Sequence, residues 1–253
     1  MTPRSGAPAL PADLEAGLKR LKLSTIRCQA PDVLLTAKTQ RWAPEETLRV
    51  LLDLEIAARD QSNTRNRMSA ARFPIDKTFD EFHLNESSIP RASHDYLITL
   101  DWVARADNLC LVGPAGKTHY LIALGRAAVE AGHKVRYFTA IDLVEHLYRA
   151  VADNTVGRAI EAVCRNDLII IDEIGFAPLD HTGCQLMFRL IAAAYERHSV
   201  AIASHSPFEA WGRFLPDQPT AVSLLDRLCH HAHIITTTGD SYRLTHRTTG
   251  GTA

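Results

Sequence analysis

Two clusters of side chains in this sequence carry chemistry, one at 113–119 and one at 172–173. The first reads Gly113-Pro114-Ala115-Gly116-Lys117-Thr118-His119 and follows an apolar run, Leu109-Cys110-Leu111-Val112. Glycines let backbone N–H groups converge on an anion, and the start of a following helix adds positive potential. A lysine in that place reaches outer phosphates, and a threonine hydroxyl is suited to magnesium. The second cluster, Asp172-Glu173, ends the aliphatic run Leu168-Ile169-Ile170-Ile171. Its first carboxylate is placed to hold Mg2+, and its second to polarise an attacking water. Lysine, threonine and two acids form the donor set of a magnesium–triphosphate site.

The loop is short. The standard pattern is G-x-x-x-x-G-K-[ST], whereas only Pro114 and Ala115 separate Gly113 from Gly116. Two missing residues remove roughly 7 Å of chain contour, about what is needed to wrap a phosphate. Alone, the loop reads equally well as an ordinary strand-to-helix turn, and an Asp-Glu pair can mark a strand reaching solvent. Their occurrence in order on separate strands favours the phosphate site.

Further candidates lie downstream. His205, in Ala203-Ser204-His205-Ser206, ends a strand and is placed to orient water. Arg227 and Arg243 are cations that could meet a γ-phosphate. His230, His231 and His233 lie close in sequence, but no acid or cysteine stands at ligand spacing and the junction should splay the adjacent side chains.

The elements that position these groups follow from periodicity. Leu14, Leu18, Leu21 and Leu23 recur at helical spacing until Pro31 stops the segment, and Ala43-Pro44-Glu45-Glu46 starts a second long helix. Residues 73–95 read as a linker or wrapping arm, and Tyr96–Val103 as a short helix. Beyond the glycine turn, helices are predicted over Lys117–Ala131, Ile141–Ala150, Val156–Cys164, Leu186–Tyr195, Phe208–Phe214 and Ala221–His230. Strands are predicted at Lys134–Phe138, Leu168–Ile171, Val200–Ala203 and His233–Thr236, with a hairpin at Gly239-Asp240 leading into Tyr242-Arg243-Leu244. This alternation implies an α/β fold with a parallel sheet, and ligands of such sheets bind at the C-terminal strand edge.

The 253 residues carry a formal charge of -1, so any nucleic-acid surface must be local. The stretch 59–72, with Arg59, Arg65, Arg67 and Arg72 among Asn, Gln, Ser and Thr, is the candidate phosphate-contacting patch. Basic residues at a helix end that suits the dipole read equally well as a solvated face. Five scattered cysteines without a CxxC pair favour reduced thiols, and no signal or membrane-spanning stretch is apparent, so a cytoplasmic location is expected.

Taken as an ordered series, these motifs resemble the IstB-type ATPases, the AAA+ helpers of insertion-sequence transposition, which are related to the DnaC helicase loaders. The series begins with Leu21-Lys22-Leu23-Ser24 and Thr99-Leu100-Asp101-Trp102. Gly113-Pro114 with Gly116-Lys117-Thr118-His119 and Ile171-Asp172-Glu173-Ile174-Gly175-Phe176 follow. Leu224-Leu225-Asp226-Arg227-Leu228 with His230-His231, and Gly239-Asp240-Ser241-Tyr242-Arg243, complete it. The resemblance implies an AAA+ P-loop NTPase sheet flanked by helices, with a small all-helical N-terminal domain. It implies a DNA-contacting domain at 1–75, a linker at 76–95, an ATP-binding domain at 96–247 and a disordered tail at 248–253. It also implies ATP and Mg2+ as cofactors, assembly into a ring or filament on duplex DNA, and a cognate transposase as partner. By position, residues 113–119 and Arg243 would contact nucleotide, and Thr118 and Asp172 would hold Mg2+. Glu173 would be the catalytic base, and Arg227 would reach a neighbouring subunit's nucleotide. Two departures stand out: the shortened loop, and His205 where the family usually carries asparagine. The short loop predicts weakened nucleotide binding, or none. A nucleotide-blind DNA-binding adaptor and a helicase loader are the alternatives.

Overall fold

The computed structural model describes residues 7–238, which fall into two compact units divided between Asn66 and Arg67. The hairpin expected at Gly239-Asp240, Arg243 and the tail lie outside the described residues.

The first unit holds helices α1 (Ala12–Arg20) and α2 (Ser24–Gln40) and most of α3 (Pro44–Ala71). The sequence places a helix stop at Pro31, but the structure puts Pro31 inside α2. The break falls earlier, at Lys22, whose φ of 57° reverses the chain between α1 and α2. A buried acid explains how α2 tolerates its proline. The Glu55 carboxylate, on α3, accepts hydrogen bonds from the N–H groups of Thr25 and Ile26 at 2.9 and 3.0 Å. It thereby satisfies the free donors of the α2 N-terminus. Arg59 donates to the same carboxylate at 3.0 Å and to the Lys22 carbonyl at 3.0 Å. This cap, together with burial of Ile26, Ala30 and Ala37, offsets the backbone hydrogen bond that Pro31 removes.

The second unit is built on a parallel sheet in the order β2-β3-β4-β1-β5 among the described residues. Its strands are β1 (Asn108–Val112), β2 (Val135–Thr139), β3 (Leu168–Ile174), β4 (Ser199–Ser204) and β5 (Ala232–Thr236). Leu168 through Ile171 are fully buried, as a strand covered on both faces requires. Helices α6 (Lys117–Glu130), α7 (Ala140–Ala152), α8 (Val156–Val163), α9 (His181–Ala194) and α10 (Gln218–Cys229) supply the covering layers. The chain leaves β1 toward β2 on one side and leaves β4 toward β5 on the other, so the connections diverge at the β1–β4 seam. A ligand crevice belongs at such a switch point, outside the C-terminal strand ends.

Among the elements that differ from expectation, three stand out. The single helix expected at Tyr96–Val103 is two, α4 (Arg91–Leu97) and α5 (Asp101–Ala104), because the buried Leu100 takes a left-handed φ of 61° between them. Helix α9 begins at His181 and not at Leu186, since the Asp180 side chain caps it by accepting from the Gly183 N–H at 2.7 Å. The segment Phe208–Arg213 is a 3₁₀ turn.

The Glu55 cap yields a prediction. Burial alone would raise the Glu55 pKa, but hydrogen bonds from Ile26, Arg59 and Thr25 outweigh it and hold the carboxyl below its ordinary 4.5. Its contribution is therefore complete above that value and is lost as pH falls through the lower folded-state pKa. Glu55→Ala should destabilise the first unit by about 1–2 kcal/mol, the usual worth of a helix cap. Denaturant unfolding at pH 7 should reveal this loss, and the gap between variant and parent should narrow in acid.

Candidate functional site

All five strands run parallel, so their C-terminal ends share one edge, and the register fixes what meets there. Val112 of β1 pairs with Ser204 of β4 and Thr236 of β5, Ile174 of β3 pairs with Ser204, and Thr139 of β2 pairs with Asp172. The loop 113–116, Asp172, Glu173 and His205 therefore converge on one edge. Burial lowers the Lys117 pKa, and Asp172 pulls it back up.

The loop has two glycines with different duties. Gly113 adopts φ 132°, and a Cβ there would sit 2.0 Å from the Thr237 carbonyl oxygen. Thr237 follows β5 and is buried against the loop, its N–H donating to the Val112 carbonyl at 2.6 Å. The Gly113 N–H itself donates to the Ser204 carbonyl at 2.9 Å. Gly116 adopts φ 78° as the cap of α6 but faces open space, with Phe82 4.0 Å from where a Cβ would lie. Lys117 Nζ folds back to donate to the Gly113 carbonyl. The four-residue loop thus closes on its own lysine.

Asp172 is 1% exposed. Its Oδ2 accepts from the Tyr137 hydroxyl at 2.8 Å, and its Oδ1 accepts from the Glu173 N–H at 2.8 Å. Each oxygen keeps a lone pair free, so the group is oriented without being exhausted. Burial first, and then Asp172, pushes the Tyr137 pKa far above its ordinary value, so the phenol remains a donor. Glu173 is exposed at the edge in a left-handed conformation, φ 59°, where the β3–β4 register slips between Ile171 and Ile174. That slip turns two consecutive carboxylates to different surroundings, one buried and one in solvent. Ser204 is fully buried, and His205 beside it is exposed. Lysine, threonine and a held carboxylate fit a metal-bound triphosphate, for which Lys117 would meet phosphate and Thr118 and Asp172 the ion.

Other candidates are placed differently. His119 turns toward the arm at 73–95: its Nε2 lies 3.0 Å from the Thr78 carbonyl and its ring packs against Phe82. Arg227 stacks over the Phe188 ring at 4.9 Å and donates to the Ser223 carbonyl at 3.1 Å on its own helix. Of the arginine patch, Arg59 donates to the Glu55 carboxylate and to the Lys22 carbonyl. Arg65 and Arg72 are exposed, and Arg67 is half-buried. His230 and His231 are not splayed by their junction: their rings lie 4.2 Å apart, and Glu196 approaches both.

Sequence reasoning missed Tyr137, Thr237 and the aromatic strap of the arm. Phe79 and Phe82 each meet the Tyr120 ring edge-on, and His94 lies 3.2 Å from the Tyr120 hydroxyl. Two phenylalanines three residues apart in a polar stretch were the available signal for the strap.

A parallel sheet in the order β2-β3-β4-β1-β5, with a glycine turn and Lys-Thr after one strand and a buried aspartate on another, is the fold of the AAA+ P-loop NTPases. The chain belongs to the family of IstB-like ATP binding proteins, which it matches over residues 16–250. It is 34% identical over 242 residues to a Pseudomonas aeruginosa protein described as the putative ATP-binding protein of insertion sequence IS21, covering 94% of this chain and 91% of that one. It is 32% identical over 211 residues to the corresponding protein of insertion sequence IS5376 from Geobacillus stearothermophilus, covering 82% and 84%. Among solved structures, AMPPCP-bound DnaA from Aquifex aeolicus shares the fold with a TM-score of 0.54 at 18% identity, covering 64% of this chain and 50% of that one.

The two glycines should respond differently to alanine. Gly116→Ala should cost about 1–2 kcal/mol, the penalty of a left-handed alanine. Gly113→Ala adds a collision with a backbone oxygen and should cost clearly more, lowering the midpoint of thermal unfolding further. Equal losses in the two variants would refute the close packing of Thr237.

Proposed function

We propose that this chain binds ATP with Mg2+ at the edge formed by residues 113–118, Asp172 and Glu173, and that it serves insertion-sequence transposition by assembling on duplex DNA and governing a cognate transposase. The observation that carries this reading is the strand register that brings the loop at 113–116 and the Asp172-Glu173 end of β3 to one sheet edge, in a chain whose relatives are described as insertion-sequence ATP-binding proteins. Lys117 would counter phosphate charge, and Thr118 and Asp172 would bind the ion, with Tyr137 fixing the carboxylate. Glu173, in solvent, would accept a proton from the attacking water while His205 helps to orient it. Bound Mg2+ would supply neutralisation of phosphate charge. Arg227 would complete a neighbouring subunit's site after leaving Phe188, with Arg243 as a sensor. The helical N-terminal segment, 1–75, would meet DNA through Arg65, Arg67 and Arg72, ahead of a linker at 76–95 and the ATPase domain at 96–247. A cytoplasmic location follows from that role; no helix among the described residues is long and apolar enough to cross a membrane.

A second reading is favoured by the loop. With Lys117 turned back onto Gly113, the protein would hold DNA without nucleotide, as an adaptor retaining the fold. Labelled-ATP binding separates the two. Under the first reading the parent binds ATP in a Mg2+-dependent manner, Lys117→Ala abolishes binding, and two residues inserted between Ala115 and Gly116 strengthen it. No binding by the parent, with DNA affinity untouched by Lys117→Ala, would establish the adaptor instead.

Tyr137→Phe tests the held carboxylate. It should weaken Mg2+-dependent nucleotide binding about 10-fold or more, as removing the hydrogen-bond partner of a metal ligand does. Unchanged Mg2+ dependence in that variant would remove Tyr137 from the site.

A further inference from the structure

A second cluster of ligating side chains lies at the opposite edge of the sheet. Glu196 occupies the turn between α9 and β4, and His230 and His231 occupy the turn between α10 and β5. Both turns lead into the N-terminal ends of parallel strands, so the trio is remote from Lys117 and Asp172. Only the fold joins them. His231 Nε2 stands 3.6 Å from Glu196 Oε1, and His230 Nδ1 stands 4.0 Å from the same oxygen. One ligand atom from each residue lies within 4.8 Å of the others. Tetrahedral coordination with metal–nitrogen bonds near 2.0–2.1 Å places neighbouring donors about 3.4 Å apart. Small rotations of three exposed side chains close that difference.

We propose that Glu196, His230 and His231 form a site for a divalent transition-metal ion of the zinc class, with water completing the coordination. Two imidazoles and one carboxylate suit zinc and its first-row neighbours, whereas magnesium and calcium take all-oxygen sets. The Tyr195 hydroxyl, 2.8 Å from His230 Nδ1, competes for that nitrogen and must release it when metal binds. His233 is outside the set, since its Nε2 faces Asp107 at 3.7 Å. An ion here ties the end of α10 to the α9–β4 turn. Arg227 lies on the same helix less than one turn before His230, so the staple would steady the segment that presents it. The site does not depend on nucleotide, and its test is independent of ATP and DNA.

The untagged full-length chain, stripped with EDTA, should be titrated with Co2+ and followed by visible absorption. The expected result is one ion per chain, with ligand-field bands that Zn2+ abolishes. Glu196→Gln and His231→Ala should each weaken binding at least about tenfold, because removing even a hydrogen-bond partner of a ligand costs that much. His233→Ala should bind as the parent does, and circular dichroism should be unchanged in all three variants. Absence of the bands, affinity equal to the parent's in the Glu196 and His231 variants, or sulfur charge-transfer bands pointing to the cysteines would each overturn the assignment.

Discussion

The site depends on seating one carboxylate at the end of a buried aliphatic strand. Asp172 follows four fully buried aliphatic residues and is itself almost inaccessible. A carboxylate without hydrogen-bond partners there would be strongly unfavourable. Three features oppose this: the Tyr137 hydroxyl, the Glu173 amide and the ammonium of Lys117. The first two come from the neighbouring strand and from the chain's own next residue, so the sheet register supplies them without ordering any loop. The third comes from α6 and brings the two motifs together.

That same charge logic bears on the short loop. A longer cradle leaves its lysine aimed at a phosphate, whereas Lys117 here finds an acceptor in the Gly113 carbonyl. The contact is local, since residue 117 reaches back only to the residue that opens its own loop. A triphosphate offers a stronger partner than a carbonyl, because charge-assisted hydrogen bonds are about twice as strong as neutral ones. Rotation of Lys117 toward a bound nucleotide is therefore favourable. The backbone is the harder constraint. Gly113 is locked beneath Thr237 and bonded to Ser204, so additional N–H donors must come from Ala115, Gly116 and the first turn of α6.

Much of this was legible in the sequence, for identifiable reasons. The run Leu168–Ile171 could hardly be anything but a buried strand, and its carboxylates had to emerge at the strand's C-terminal end. The turn between β1 and α6 was readable because an apolar run, two glycines and a helical pattern follow one another there. Tyr137 was not readable: its neighbour, Asp172, lies across a parallel register, and nothing local sets which residues of β2 and β3 align. Thr237 was hidden similarly, since only packing shows why Gly113 must lack a side chain. Pro31 misled because the rule for proline assumes an uncapped helix, while Glu55 and Arg59, far along the chain, compensate. The histidine junction misled through the same blindness to distance, for Glu196 lies on another turn.

The arginines of α3 illustrate how a single hydrogen-bonded pair redistributes a functional reading. Four cations spaced along a polar stretch look equivalent when only composition is considered. Arg59 commits its Nε and Nη2 to Glu55 and Lys22, and removing it would leave a buried carboxylate with a weaker partner. Replacing it would therefore disturb the cap of α2 whatever this segment binds. Arg65 and Arg72 carry no such duty among the hydrogen bonds and ion pairs of the described residues. A salt slope that falls on replacing Arg65 or Arg72, but not on a conservative change at Arg59, is what distinguishes a phosphate-binding cation from scaffold, since removing one cation–phosphate pair lowers the slope by about one.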